Sequence, residues 1–121
     1  VVIGTVQGDI HDIGKDLVVG MLRAGGFEVH DLGVNVAPET FIHTLQETGA
    51  KVLGLSGLLT IAFDAMKETV AAVEQAGLRP GVKVMVGGGP VDEKACQYTG
   101  ADAWGNSAQA AVNLATQWME A

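Results

Sequence analysis

The sequence predicts an α/β domain built on a doubly wound, parallel five-stranded sheet with helices on both faces. Two observations predict this class. Short runs rich in β-branched residues alternate with longer segments of helical spacing. The short runs are apolar almost throughout, which is typical of parallel strands covered on both sides. The 121 residues suffice for one domain, 1–121, with a real core, and such β-α units connect by right-handed crossovers.

Each element is bounded by residues that suit its ends. The predicted strands span residues 1–6, 27–32, 51–56, 82–86 and, with the weakest signal, 101–104. The predicted helices span residues 13–24, 38–48, 60–76, 91–98 and 107–119. Pro38 suits the first turn of a helix. Gly49, Gly77 and Gly100 each follow a helical segment, where a C-terminal cap favours a left-handed residue.

Composition excludes several functions. The formal net charge is −7, and seven Lys and Arg are too few for a phosphate-backbone binder, so nucleic acid is not an expected partner. No apolar stretch has membrane-spanning length and no signal peptide is visible. Cys96 is the only cysteine, which excludes a disulfide within the chain and agrees with a cytoplasmic location. The chain opens on an apolar run without an initiator methionine, so we expect it to be part of a longer protein.

The loops after the predicted strands are the expected site, because ligands of open α/β sheets bind outside the carboxyl ends of the strands. His11 lies in the first of these loops, and Asp9 stands where its carboxylate can reach one ring nitrogen. A metal-bound imidazole usually gives its other N–H to such a group. Gly14 leaves room at the helix start. An alternative is that Asp9 or Asp12 simply caps the helix while His11 is exposed without a role. This loop alone leaves both open.

Two further loops favour a ligand. Ser56 and Thr60 place hydroxyls after the third strand, where backbone N–H groups can also bind a phosphate. Three glycines, Gly87, Gly88 and Gly89, follow the fourth strand. A run of glycines is a costly connector, and it is explained if a ligand passes close to the main chain.

Three motifs on successive loops carry a resemblance to a known family. Residues 9–14, Asp-Ile-His-Asp-Ile-Gly, match the D-x-H-x-x-G signature of cobalamin-binding domains. Ser56 and Leu58 match the S-x-L element of these domains, and Gly87-Gly88 the G-G element. The similarity spans essentially the whole chain and implies a flavodoxin-like, or Rossmann-like, sheet. The details of the motifs resemble methyl-carrying corrinoid proteins of methanol, methylamine and aryl-ether methyltransferase systems, and the cobalamin module of methionine synthase.

The resemblance implies a role for each matching residue. His11 would be the lower axial ligand of cobalt, with Asp9 hydrogen-bonded to the imidazole, in the arrangement called base-off, His-on. The displaced dimethylbenzimidazole would enter a deep pocket lined by Gly14, Ser56, Leu58, Gly87 and Gly88. Further candidate cofactor contacts are Asp12, Ile13, Thr60, Gly89 and Trp104.

Two departures from the family pattern are visible. Such proteins often carry tyrosine at the position of Trp104, so the tryptophan is expected to add bulk near the pocket. Ala62 stands where methionine synthase has a serine that extends the Asp–His relay. The chain also shows no counterpart of the helical cap that covers the upper face of the corrin in similar proteins.

The implied function is transport of a methyl group on cobalt, with the cofactor alternating between methylcobalamin and cob(I)alamin. The implied partners are methyltransferase proteins on the donor and acceptor sides and a reductive activator, and the chain itself would be a non-catalytic subunit. Three alternatives stay open: the cobalamin subunit of an adenosylcobalamin-dependent mutase, a corrinoid sensor or storage module, and a flavodoxin-like domain that binds no corrinoid.

Overall fold

The computed structural model describes residues 1–120. The strands are β1 Val2–Thr5, β2 His30–Asp31, β3 Val52–Ser56, β4 Lys83–Gly87 and β5 Ala103–Gly105. The helices are α1 Ile13–Ala24, α2 Pro38–Thr48, α3 Ala62–Gln75, α4 Glu93–Thr99 and α5 Ala108–Glu120. Helices α1 and α2 have the predicted bounds, and the other three differ from the prediction by one or two residues at each end.

All five strands are parallel, in the order β2-β1-β3-β4-β5. Helices α1 and α5 pack together on one face of the sheet, and α2, α3 and α4 on the other. The predicted fold class is therefore confirmed. The strand order reverses between β1 and β3, so the helices that follow these two strands, α1 and α3, pack on opposite faces of the sheet.

The edge strand β2 is much shorter than predicted. It pairs only with β1, through His30 opposite Val2 and Asp31 opposite Ile3. Phe27 and Val29, just before it, pack against the α1 side of the sheet without forming a ladder. An edge strand has a neighbour on one side only, so its apolar run does not need to pair over its full length.

The two faces of the sheet are filled unequally. The α2–α4 face holds the larger core, whose largest fully buried side chains include Phe41, Leu45, Leu53 and Met66. The α1–α5 face has a smaller core around Ile3, Val19, Leu22, Met85 and Ala115. The smaller core fills the half of this face away from the carboxyl ends of the strands, and the other half is hollow. Among the described residues, every helix is too short or too polar to cross a bilayer.

Candidate cofactor-binding site

The loop between β1 and α1 brings Asp9 and His11 together. Asp9 is completely buried, whereas the His11 side chain is 46% exposed. The ring atom Nδ1 of His11 lies 2.8 Å from Oδ1 of Asp9. The ionised carboxylate can only accept, so Nδ1 carries the proton and the other ring nitrogen, Nε2, keeps a free lone pair. The site thus presents one imidazole nitrogen that is able to bind a metal.

Four hydrogen bonds hold the Asp9 carboxylate. Oδ1 accepts from the backbone N–H of His11 (2.9 Å) as well as from its ring, and Oδ2 accepts from the backbone N–H groups of Leu58 (2.7 Å) and Leu59 (3.0 Å). Burial by itself raises the pKa of Asp9, but these donors together hold it well below its usual range. Asp9 therefore stays charged, and it ties the first loop to the loop after β3.

The structure contradicts the interpretation of this loop as a simple helix cap. Asp12 is the residue before α1, but its side chain makes no capping hydrogen bond. Asp9 lies deeper, in contact with the loop after β3 rather than with the first turn of the helix. An interior carboxylate with all its acceptor positions filled is a built feature, and His11 is its partner rather than an exposed residue without contacts.

A cavity of about 280 Å³ opens between α1 and α5 above the sheet. Its walls come from α1, the ends of β3, β4 and β5, and the start of α5. The residues that line it are Ile3, Gly14, Lys15, Leu17, Val18, Gly54, Leu55, Ser56, Met85, Val86, Gly87, Gly88, Gly89, Val91, Gly105, Asn106, Ser107, Ala108 and Ala111. Of the predicted site residues, Gly14, Ser56, Gly87, Gly88 and Gly89 are thus brought together.

Small residues create this cavity. Side chains alternate between the two faces along each strand. On the α1–α5 face, the upper positions are Gly54 and Ser56 on β3, Gly87 on β4 and Gly105 on β5. A Cβ atom built on Gly14 would meet no atom within 4 Å, because this position faces open space. The same face is packed lower down, so the hollow is local to the edge of the sheet where the loops lie.

The three glycines at the end of β4, Gly87, Gly88 and Gly89, serve two different purposes. Gly88 has φ +135°, and a Cβ atom there would lie 1.8 Å from the carbonyl oxygen of Gly57. A side chain at position 88 is excluded by the neighbouring loop, not by a ligand. Gly87 borders the cavity, and a Cβ at Gly89 would touch only the flexible end of Leu58. The interpretation that a ligand accounts for all three glycines is therefore wrong for Gly88.

The remaining predicted residues lie outside the cavity. Leu58 is 45% exposed on the rim, and Thr60 lies in the exposed bend before α3. Asp12 and Ile13 are exposed at the start of α1, with Ile13 86% exposed. Trp104 faces the other core, and its indole N–H donates to Glu93 at 2.8 Å. Because Gly105 faces the cavity, its neighbour on the strand must face away, so Trp104 adds no bulk there.

Two residues around the site were not recognised from the sequence. The hydroxyl of Thr5, a fully buried residue, donates to the carbonyl of His11 at 2.8 Å. Asn35, with φ +51°, accepts from the N–H of Gly8 and donates its own backbone N–H to the carbonyl of Asp9. The signals were present: a hydroxyl in a strand predicted to be buried on both faces, and an asparagine suited to a left-handed turn.

Lys15 borders the same site, in the first turn of α1, and it is only 3% exposed. Its Nζ donates to both oxygens of Asp31, at 2.8 and 2.9 Å, and to Asp16 at 2.6 Å. Burial by itself lowers the pKa of Lys15, but the two carboxylates raise it overall, and Lys15 in turn lowers the pKa of Asp31. The ion pair fastens the first turn of α1, which forms one wall of the cavity, to β2.

We expect Asp31→Asn to lower the free energy of unfolding by about 2 kcal/mol at neutral pH, because the buried ammonium loses its main partner. The pKa of Asp31 is lowered in the folded state, so its contribution is present above the unfolded pKa and is lost as pH falls through the folded value. Urea unfolding of both proteins at neutral pH and in acid measures this. The gap between wild type and variant should close in acid.

Asp16→Asn is the matched control, because it removes the other partner of Lys15 at a carboxylate that is 58% exposed. It should cost less than about 1 kcal/mol. Equal losses of stability in the two variants would mean that the pair of Lys15 with Asp31 stabilises the fold no more than its pair with Asp16 does.

An imidazole with a free nitrogen at the edge of a doubly wound sheet, beside a glycine-walled cavity, defines a domain equipped to bind a metal-containing cofactor with a bulky side arm. The model of the B12 binding domain family matches residues 1–113. The chain belongs to the B12-binding domain family.

Individual relatives agree with this assignment. The dimethylamine corrinoid protein 2 of Methanosarcina mazei is 41% identical over 117 residues, which are 97% of this chain and 55% of that protein. A cobalamin-binding protein from Desulfitobacterium hafniense superposes with a TM-score of 0.94 at 44% identity, covering 97% of this chain and 57% of that one. The methanol:cobalamin methyltransferase complex from Methanosarcina barkeri gives 0.92 at 29% identity, with 98% and 45% covered. The chain thus spans about half the length of these proteins.

The residues present fit a cobalamin. A neutral imidazole nitrogen is a suitable ligand for cobalt, and His11 presents one, with its tautomer set by Asp9. The aromatic base at the end of the cofactor's nucleotide tail needs an apolar space with few polar groups, and the cavity offers Ile3, Met85 and several glycines together with the Ser56 hydroxyl.

Proposed function

We propose that this chain binds cobalamin with the dimethylbenzimidazole displaced into the cavity and His11 as the lower ligand of cobalt. The observation that carries the proposal is the combination at one sheet edge of a free imidazole nitrogen, set by the buried Asp9, and a hollow large enough to take an aromatic base. His11, oriented by Asp9, would hold the metal, and Gly14, Ser56, Gly87, Gly88 and Gly89 would surround the tail.

We propose further that the whole protein carries a methyl group between methyltransferases. When bound, the cobalt supplies the nucleophile that accepts and then delivers the methyl group. Support comes from the relatives, which include a dimethylamine corrinoid protein and a methanol:cobalamin methyltransferase complex. The partners proposed are a methyl-donor-side and an acceptor-side methyltransferase, with a reductive activator.

The chain's own residues would orient the imidazole that faces the cofactor. With Nε2 available to a metal, Asp9 would keep the proton on Nδ1 and make the ring a stronger electron-pair donor. Ala62 offers no hydroxyl, and the N–H groups of Leu58 and Leu59 hold the far side of the carboxylate instead. Asp9 stays ionised because its hydrogen-bond donors hold its pKa below the usual range.

The first test is whether the protein retains a red chromophore on a sizing column after mixing with hydroxocobalamin. The second is the EPR spectrum of the Co(II) form. In protein labelled with the heavy nitrogen isotope in histidine, the axial nitrogen hyperfine pattern should change. His11→Ala should still bind cobalamin through the tail but lose this protein-derived pattern.

His43→Ala is the control, because His43 is an exposed histidine of α2, far from the loops, with a side chain that is 71% exposed. Its spectrum should match the wild type. A colourless protein would overturn cobalamin binding itself. A coloured protein whose hyperfine pattern ignores the isotope would overturn only the role of His11. Methyl transfer is read separately, by whether a methyltransferase can methylate the bound cofactor.

A further inference from the structure

Thr5 ends β1 and is the last residue before the chain enters the loop that carries His11. It is completely buried. Its backbone is fixed on both sides, because its N–H donates to the carbonyl of Gly33 at 2.9 Å and its carbonyl accepts from the N–H of Val36 at 3.0 Å. The backbone that carries the Thr5 hydroxyl is therefore held as firmly as the rest of the sheet.

The hydroxyl donates to the carbonyl oxygen of His11 across six residues, at 2.8 Å. Asp9 contacts His11 through the backbone N–H and the ring, but it does not contact the carbonyl. Thr5 is thus the restraint on His11 that does not depend on Asp9. With both backbone groups and one ring nitrogen held, His11 keeps little freedom although its side chain is half exposed.

A valine would be the ordinary residue at this buried strand position, because a hydroxyl is costly in the interior unless it is bonded. This hydroxyl is hydrogen-bonded to the carbonyl of His11, which is the residue proposed to bind the metal. Resting on the function proposed above, we infer that Thr5 is a positioning residue: its hydroxyl seats the His11 backbone, so that the imidazole keeps Nε2 directed to the cofactor.

Two pairs of variants test this. Thr5→Val keeps the shape and removes the hydroxyl, and Thr5→Ser keeps the hydroxyl. If the valine variant does not fold, Thr5→Ala against Thr5→Ser isolates the same group in a smaller side chain. Thr69→Val is the matched control, because Thr69 is also fully buried and its hydroxyl donates to the carbonyl of Ala65 at 2.8 Å, within α3.

The first readout needs no cofactor. The nitrogen NMR shifts of the His11 ring should report a single tautomer, protonated at Nδ1, in the wild type and in Thr5→Ser. In Thr5→Val and Thr5→Ala, the shifts should move toward a mixture of tautomers. The second readout is the fraction of Co(II) that carries the histidine nitrogen. The ratio of unligated to His-ligated cobalt should rise about fivefold on loss of the hydroxyl, the effect of one typical hydrogen bond.

Thermal unfolding separates positioning from stability. Thr5→Val and Thr69→Val each lose one buried hydrogen bond and should lose similar stability, but only the change at Thr5 should alter the histidine signals. Unchanged tautomer and EPR signals in the variants without the hydroxyl would overturn the inference, and so would equal changes in Thr69→Val. If the wild type binds no cobalamin, the proposed function fails, while the NMR comparison still decides whether Thr5 positions His11.

Discussion

Gly14→Leu is expected to leave the fold intact and to weaken cobalamin binding at least about 100-fold. Gly14 lies in the first turn of α1 and lines the cavity, and a Cβ atom there would meet nothing within 4 Å. A leucine side chain would therefore enter the hollow without disturbing the protein. It would occupy space needed by the aromatic base, whose burial contributes several kcal/mol to binding. Titration with hydroxocobalamin, followed by absorbance, measures the affinity.

Gly20→Leu is the matched control for this prediction. Gly20 is also an exposed glycine of α1 with nothing within 4 Å of a built Cβ, but it does not line the cavity. Both substitutions replace glycine by a good helix former, so neither should lower the midpoint of thermal unfolding. If Gly14→Leu binds cobalamin as well as Gly20→Leu does, the tail does not lie in this cavity.

Gly88→Ala is expected to be the most destabilising of the substitutions considered, with a loss of more than about 3 kcal/mol. The added Cβ would lie 1.8 Å from the carbonyl oxygen of Gly57 and 2.9 Å from its carbon, at a backbone φ of +135°. Neither atom can move away easily, because the N–H of Gly57 donates to the carbonyl of Gly87 at 3.2 Å. The loops after β3 and β4 would have to separate. Thermal unfolding should show a midpoint lower by roughly 10 °C or more.

Gly26→Ala distinguishes this clash from simple backbone strain. Gly26 also has a positive φ, +89°, but a Cβ there would meet nothing within 4 Å. This variant should lose only about 1–2 kcal/mol, the cost of a left-handed alanine. Similar losses in the two variants would mean that the loops after β3 and β4 are not packed as tightly as the structure shows.

The Asp31, His11 and Thr5 variants test different levels of the same site. Asp31→Asn tests how the wall of the cavity is anchored, His11→Ala tests the metal ligand, and the Thr5 variants test how that ligand is held. Their readouts are independent: stability, axial nitrogen signal and ring tautomer. A failure at one level therefore does not obscure the result at another.

The sequence by itself determined the fold class, the bounds of α1 and α2, and the cofactor family. These features are local or periodic: helical spacing with a proline at one end and a glycine at the other, apolar strand runs, and motifs at set positions after strands. The contact between Asp9 and His11 could also be predicted from the sequence, because a separation of two residues places both side chains in one turn.

Only the tertiary structure decided how the site is held. The donors from Leu58 and Leu59 to Asp9 cross about fifty residues of sequence, and the contact that excludes a side chain at Gly88 comes from another loop. The direction of Trp104 depended on the register of β5, the weakest predicted strand, since a shift of one residue exchanges the two faces. The carboxyl ends of parallel strands bring distant loops to one edge, so the contacts between those loops become fixed only when the sheet forms.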